Sequence, residues 1–281
     1  MYGSHLSIAG GMHNAVTAAT ALGMTTVQVF TKNQQQWLAK PIADEACSAW
    51  CSACAEAAFE VTVSHDSYLI NLASADEALW RKSVDAFAEE VRRCEQLRIP
   101  LLVTHPGAHL GTGEEAGLRR VAAGLDEVFS RDRKSGTTVC LEITAGQGTS
   151  LGYRLEHLAE IISLSKHEKR LAVCLDTAHL LAAGIDFRGR KYATFKKRLG
   201  ELDLLDRVRV WHLNDSKKDL GTRVDRHEHI GKGFVGLDGF RPIVRDKAWR
   251  ETPKILETAK GKDEQGREWD EINLEALKSL E

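Results

Sequence analysis

Short apolar runs punctuate the chain, and each gives way to a longer stretch whose hydrophobic positions recur every three or four residues. The runs predict strands near Gly3–Ile8, Thr26–Phe30, Val61–Ser64, Leu101–His105, Thr138–Ile143, Leu171–Asp176, Arg207–Leu213 and Lys254–Glu257. Between them, DEALWRKSVDAFAEEVRRCEQL (76–97) puts Leu79, Val84, Phe87, Val91, Cys94 and Leu97 on one helical face and charges on the other. EEAGLRRVAAGLDEVF (114–129) has the same character. Eight strands alternating with helices predict a parallel (β/α)8 barrel, a TIM barrel with outer helices. A chain of 281 residues without a Pro/Ser-rich linker reads as one such domain, residues 1–281. The alternative, a doubly wound open sheet, calls for a GxGxxG loop after the first strand. SIAGGMHNAV supplies Gly10 and Gly11 without that spacing.

The polar residues that close the apolar runs carry the chemistry. His65 ends the third run, His105 the fourth, Glu142 the fifth, Asp176 the sixth (with His179 three residues on), His212 the seventh and Glu257 the eighth. A lone histidine in such a place is more often structural than functional. Six strands ending this way is different, because in a barrel those ends converge on one mouth. Burying several carboxylates and imidazoles together without counter-charge is costly, and a metal cluster removes that cost. Imidazole nitrogen and carboxylate oxygen suit zinc or manganese. The stretch VDRHEHIGKG (224–233) follows the seventh strand, so Asp225 and His227 can reach the same mouth. Nine candidate ligands are too many for one ion and suit three if a carboxylate bridges.

Composition narrows the class further. A net charge of −2 gives no global attraction to nucleic acid, so phosphate binding must come from local patches or bound cations. The start MYGSHLSIAGG is unlike a signal peptide, and no segment reaches the ~20 apolar residues that cross a bilayer. The expectation is a soluble, cytoplasmic protein with no membrane partner. Six cysteines in such a chain read as reduced thiols. Cys47, Cys51 and Cys54 share a helical face and read as small buried hydrophobes, since nothing nearby completes a zinc site.

The strings HDSYLIN, HPGAHLG, EITAGQG, LDTAHLLAAGID, HLNDSK, GTRVDRHEHIGKG and ILET, with TKNQQQW near the start, resemble the endonuclease IV family of apurinic/apyrimidinic (AP) endonucleases over nearly the whole chain. The resemblance implies a barrel with three zinc ions that incises duplex DNA 5′ to an abasic site, leaving a 3′-hydroxyl and a 5′-deoxyribose phosphate. It also implies removal of 3′-blocking groups. By motif, Glu142 would bridge two metals and work with metal-activated water. His65 and His105 would hold the first ion, Asp176, His212 and Glu257 the second, and His179, Asp225 and His227 the third. Mn2+ can replace Zn2+ at such positions.

The family grips bent DNA with loops at the mouth, which here match residues 31–37 and 66–71. Gln35, Tyr68 and Leu69 fall at the contact and wedge positions, and core packing at a helix start is the plainer reading of Tyr68 and Leu69. Lys217, Lys218, Arg223, Arg226 and Lys232 are candidate phosphate contacts, nearly balanced by neighbouring acids. Two departures stand out: Gln35 where well-known members carry arginine, and Ile143–Thr144 where many read Asn–Thr. His5 and His109 read as partners that orient ligands. His13, His157 and His167 read as surface or packing residues, and His229 is not a ligand in the family pattern.

Two rivals remain. A sugar isomerase related to xylose isomerase would use only Glu142, Asp176, His212 and Glu257. A DNA-damage binding protein that no longer cuts would be expected to lose ligands. The expected protein is a monomer.

Overall fold

The computed structural model describes residues 1–132 and 135–281. Eight strands form one sheet: β1 (Tyr2–Ser4), β2 (Gln28–Phe30), β3 (Val63–His65), β4 (Leu101–Thr104), β5 (Thr138–Glu142), β6 (Leu171–Asp176), β7 (Val208–His212) and, after the two-stranded ribbon β8 (Asp215–Ser216) and β9 (His227–Glu228), β10 (Lys254–Leu256). Their order is β1-β10-β7-β6-β5-β4-β3-β2, and every neighbouring pair is parallel. The two ends of that order meet. His5 bridges Gln28, the Leu6 amide donates to the Gln28 carbonyl at 2.9 Å, and the Thr25 amide to that of Tyr2 at 2.9 Å. Gly3 makes this seam possible, because a Cβ there would lie 2.5 Å from the Thr26 carbonyl oxygen.

The helices form the outer ring: α1 (His13–Ala21), α2 (Asp44–Glu56), α3 (Glu77–Gln96), α4 (Glu114–Arg131), α5 (Leu155–Leu164), the short α6 (Thr177–Ala182), α7 (Tyr192–Glu201), α8 (Leu237–Arg245) and α9 (Trp269–Lys278). Two apolar layers result. Outward-facing Val139, Leu141, Val173 and Leu175 pack under the helices, whose buried stripe in α3 includes Val84, Phe87, Val91 and Cys94. Inward-facing Val63, Leu101, Val103, Cys140, Ala172, Cys174, Val210 and Ile255 fill the barrel. Both faces are therefore buried, which is why the strands read as nearly unbroken apolar runs.

The first strand is shorter than its hydrophobic run suggests: it ends at Ser4, and Ile8 accepts a turn hydrogen bond from Gly11. His5 continues the pairing as a single bridge to Gln28, and its ring meets Glu257 at the mouth. Cys47, Cys51 and Cys54 are half-buried rather than buried, and the Cys47 thiol donates to the Gln96 carbonyl at 2.9 Å. All six cysteines are free thiols.

Candidate metal centre

One rule of strand geometry builds the site. Side chains alternate across a sheet, so the residue two beyond an interior residue is again interior and one layer nearer the mouth. Val63 is followed by His65, Val103 by His105, Cys140 by Glu142, Cys174 by Asp176, Val210 by His212 and Ile255 by Glu257. The last apolar layer is thus overlaid by a layer of titratable side chains. Asp176 also caps α6 by accepting the His179 amide at 2.9 Å, and this short helix brings the His179 ring back over the mouth.

Asp225 and His227 arrive from the loop after β7. Asp215 holds that loop, its buried carboxylate accepting the amides of Ser216 and Val235 at 2.8 Å and Gly236 at 3.2 Å. Gln147 accepts the Asp225 amide at 3.3 Å.

Donor atoms gather in overlapping groups: His65, His105 and Glu142; Glu142, Asp176, His212 and Glu257; and Asp176, His179 and His227, with Cys174 of the apolar layer forming a further group with Glu142 and His212. Within each group the atoms lie within 4.8 Å of one another. Glu142 links the first and second groups and Asp176 the second and third. Asp225 stands beside the third, 3.2 Å from His179 Nε2 and 3.4 Å from His227 Nε2.

The chemistry of this donor set fits a cation. In four of the histidines one ring nitrogen is already committed as a donor. His65 Nδ1 donates to the Asp66 carbonyl (2.9 Å), His179 Nδ1 to that of Ile143 (2.9 Å), His227 Nδ1 to that of Glu257 (3.2 Å) and His212 Nε2 to Gln28 Oε1 (2.9 Å). The remaining nitrogens face carboxylates: His65 to Glu142 at 3.1 Å, and His212 to Glu142 at 3.0 Å and Glu257 at 3.2 Å. His179 and His227 also face each other, Nε2 to Nε2, at 3.5 Å. Neutral rings would turn lone pairs on carboxylate oxygens, so the cluster needs either extra protons or metal cations.

In the metal-free protein protons take that place. Burial disfavours a charged His65, yet its hydrogen bond to Glu142 and the charges of Glu142, Glu257 and Asp66 prevail and push its pKa up to about 9. His179 and His212 are raised in the same way against burial, by Asp176 and Asp225 for the first and by Cys174, Glu257 and Glu142 for the second. Burial opposes the charge on Glu142 and Glu257, but His212 beside both of them holds their carboxyls well below the usual range.

Two residues in the network carry no charge and were not among the expected ones. Gln28, fully buried on β2, donates to Glu257 at 2.6 Å while accepting from His212. Asn214 donates to Asp176 at 2.7 Å and accepts the Glu257 amide at 2.7 Å. His5 meets Glu257 at 3.2 Å. His109 does not play the orienting part expected of it. Its Nδ1 accepts the amides of Gly111 and Gly113 at 3.2 and 3.1 Å, so the ring holds a turn ahead of α4. His157 is buried and tied to Gly152, Arg154 and Glu114. His229 stacks on Trp269 with ring centres 3.8 Å apart, outside the cluster. Ile143, the unusual neighbour of Glu142, turns its side chain into the core and offers His179 only its carbonyl.

The rim loops surround a cleft of about 250 Å³ lined by Tyr68, Asn71, His105, Gln147, His179 and Asp225, among others. Tyr68 is 66% exposed in a turn, which removes the core-packing reading, and Leu69 beside it is half-buried. Its ring stands 5.9 Å from His65 and 6.4 Å from His105. Gln35 is exposed, in a loop clasped to the Tyr68 turn by Ser67, whose hydroxyl donates to the Gln34 carbonyl. Arg223 and Arg226 are exposed; the Arg223 guanidinium lies 4.3 Å from the Tyr153 ring centre.

The outer helix α3 anchors the first of these loops. Arg93 donates to the carbonyls of Thr31 and Lys40, and Glu90 takes the Lys32 ammonium at 3.0 Å and the Thr31 hydroxyl at 2.6 Å. The Lys32 ammonium also donates to the Gln36 carbonyl at 3.1 Å, within the loop.

A parallel barrel whose mouth carries a histidine–carboxylate cluster defines a class, and residues 16–280 match the family model described as "Xylose isomerase-like TIM barrel". Within that class, the chain is 47% identical over 280 residues to "Probable endonuclease 4" of Chloroflexus aurantiacus, covering 99% of this chain and 97% of that relative. The crystal structure of endonuclease IV from Thermus thermophilus is 33% identical with a TM-score of 0.87, covering 99% and 98% of the two chains. The chain belongs to the endonuclease IV family of AP endonucleases. A D-tagatose 3-epimerase-like protein, 18% identical with a TM-score of 0.72 over 99% of this chain and 96% of its own, shares the fold.

Proposed function

We propose that this chain hydrolyses the phosphodiester bond 5′ to an abasic site in duplex DNA at a three-metal centre, and also clears 3′-blocked ends. The observation that carries the proposal is the convergence of donors at one mouth in overlapping groups, three of which contain Glu142. His65, His105 and Glu142 would hold one ion and Glu142, Asp176, His212 and Glu257 a second. His179 and His227, with Asp225 or Asp176, would hold the third. Zn2+ suits these donors, and Mn2+ is an alternative at any of the three positions. Bound there, the ions would lower the pKa of a water toward 7 and counter charge developing on the phosphoryl and departing 3′ oxygens.

The chain's own residues position and exclude. Gln28 and Asn214 fix Glu257 and Asp176, and backbone carbonyls fix the tautomers of His65, His179 and His227. Tyr68 and Leu69, at the rim, would fill the duplex beside a flipped-out abasic nucleotide, Gln35 would reach the same gap, and Arg223 and Arg226 would meet phosphates. Three divalent ions would bring the formal charge from −2 to +4, enough to draw a polyanion to the mouth. One chain supplies all of these groups, which supports action as a monomer.

An epimerase reading needs only the Glu142, Asp176, His212 and Glu257 quartet, and leaves five converging side chains without a use. The test is a nicking assay on a duplex with one tetrahydrofuran abasic analogue, with zinc content measured in parallel. Incision directly 5′ of the analogue, lost with 1,10-phenanthroline and restored by zinc, is the expected result at about three ions per chain. A fully loaded protein that leaves this duplex intact would sink the proposal.

A further inference from the structure

Among the described residues, the large apolar side chains left exposed are concentrated at one end of the barrel. Leu38, Tyr68, Leu110, Leu220, Phe234 and Leu237 all lie on loops or a helix start at the mouth, and Leu164 alone lies at the other end. A rim of this kind around a site for a polyanion marks contact with the apolar parts of the ligand.

Backbone strain singles out one of them. Among the described residues, five non-glycine residues have positive φ: Ala58, Arg98, Leu110, Asp203 and Arg223. Ala58, Arg98 and Asp203 each end a helix. The residue after each donates back across the last turn (Phe59 to Cys54, Ile99 to Cys94, Leu204 to Leu199), so helix capping explains them. Leu110 and Arg223 cap no helix; both sit on mouth loops.

At Leu110 the local sequence works against its own turn. The Thr112 amide donates to the His109 carbonyl at 3.1 Å, and the two central residues, Leu110 (φ +49°) and Gly111 (φ +98°), both have positive φ. Such turns favour Asn, Asp or Gly at the first central position, because a bulky side chain there is strained. Leu110 gains no core burial in return, being 60% exposed. Its amide leans on the Thr149 hydroxyl at 3.3 Å, and Ala108 of the same loop lines the cleft with Tyr68.

We propose that Leu110 contacts DNA, its apolar side chain held out on a strained turn to meet the sugar and base-edge surface of the duplex beside the cleft. This rests on the AP endonuclease reading. The test compares Leu110→Asn and Leu110→Met with the unaltered, zinc-loaded chain on the abasic-analogue duplex, reading KM, kcat, zinc content and Tm. Asn relieves the turn and removes the apolar contact, so KM should rise roughly fivefold while kcat and zinc content hold and Tm stays level or rises. Met keeps the contact and should hold KM within about twofold of the unaltered chain. An unchanged KM in Leu110→Asn would overturn the proposal. So would a fall in Tm with joint loss of kcat and zinc, which would mark Leu110 as structural. Failure of the functional reading looks different: the unaltered chain would leave the duplex uncut, and the role of Leu110 would fall with it.

Discussion

Lys254 and Glu257 lie three residues apart on one segment, at opposite ends of the barrel, and their burial is resolved in opposite ways. Lys254 is a single cation. Its ammonium donates to the carbonyls of Trp249 and Thr252, and burial pulls its pKa down to about 8. Backbone dipoles and easier loss of a proton meet its cost within the fold. Glu257 instead meets His212, His5 and Gln28, and belongs to a cluster where acceptors face acceptors. Hydrogen bonds from Gln28 and Asn214 hold single carboxylate oxygens, but the carboxylate–imidazole contacts still call for added protons or cations. In the proposed reading cations from outside would complete the cluster, which separates a residue buried for structure from residues buried for chemistry.

The comparison breaks first at Glu142. Glu142→Ala removes the group shared by two of the proposed metal positions, and incision of the abasic-analogue duplex should fall by about four orders of magnitude or more. Circular dichroism should be unchanged, because the apolar layers beneath do not depend on Glu142. Activity within tenfold of the unaltered chain would end the three-metal assignment.

The next effect lies outside the mouth. Glu90→Gln leaves the Lys32 ammonium without its buried partner and loosens residues 31–40. KM for the duplex should rise about tenfold with kcat retained, accompanied by some loss of Tm. Equal loss in kcat and KM would place Glu90 in general stability instead of loop position.

The six strand-end candidate ligands were legible because strand parity is strict: in each of those strands, two residues past the last inward apolar residue is the mouth. Gln28 shares the inward face of its strand with Phe30, but a neutral amide carries no titratable signal and passes for an ordinary strand residue. Asn214 was hidden in the same way, and its value lies in bonding Asp176 and the Glu257 amide at once. Glu90 and Arg93 were concealed by their surroundings, since DAFAEEVRRC reads as a solvated charged face. Only tertiary contact with a loop about 60 residues earlier shows that Glu90 and Arg93 are buried while Glu89 and Arg92 pair on the surface. His109 was misread because its motif is rich in histidine, whereas its role follows from a positive-φ turn that no spacing reveals.

A smaller effect sharpens the electrostatic contrast. With metal removed, His65, His179 and His212 have folded pKa values above the ordinary 6.5, so the stability they contribute is fully present below about pH 6.5. It is lost as pH rises through the folded values, about 9 for His65. Glu142 and Glu257 are depressed below 4.5, so their contribution is present above about pH 4.5 and fades as pH falls through the folded values. The chelated protein should therefore be most stable between about pH 4.5 and 6.5 and lose several degrees of Tm toward pH 9. Zinc-loaded protein should not show that alkaline loss, because the cations replace the protons. A parallel decline in both forms, followed by thermal melts across pH, would contradict the account of what holds the cluster together.

The smallest effect belongs to Lys254. If its charge serves only the fold, an unbranched apolar side chain of similar length should replace it at little cost. Lys254→Met gives up hydrogen bonds to two carbonyls and removes the desolvation cost of an ammonium, and these changes oppose each other. The expected net change is within about 1 kcal/mol, with kcat, KM and zinc content unaltered. Denaturant unfolding and the nicking assay read both quantities. A loss of activity at constant stability would mean that the two ends of the barrel are coupled, and that the single charge does more than its local contacts explain.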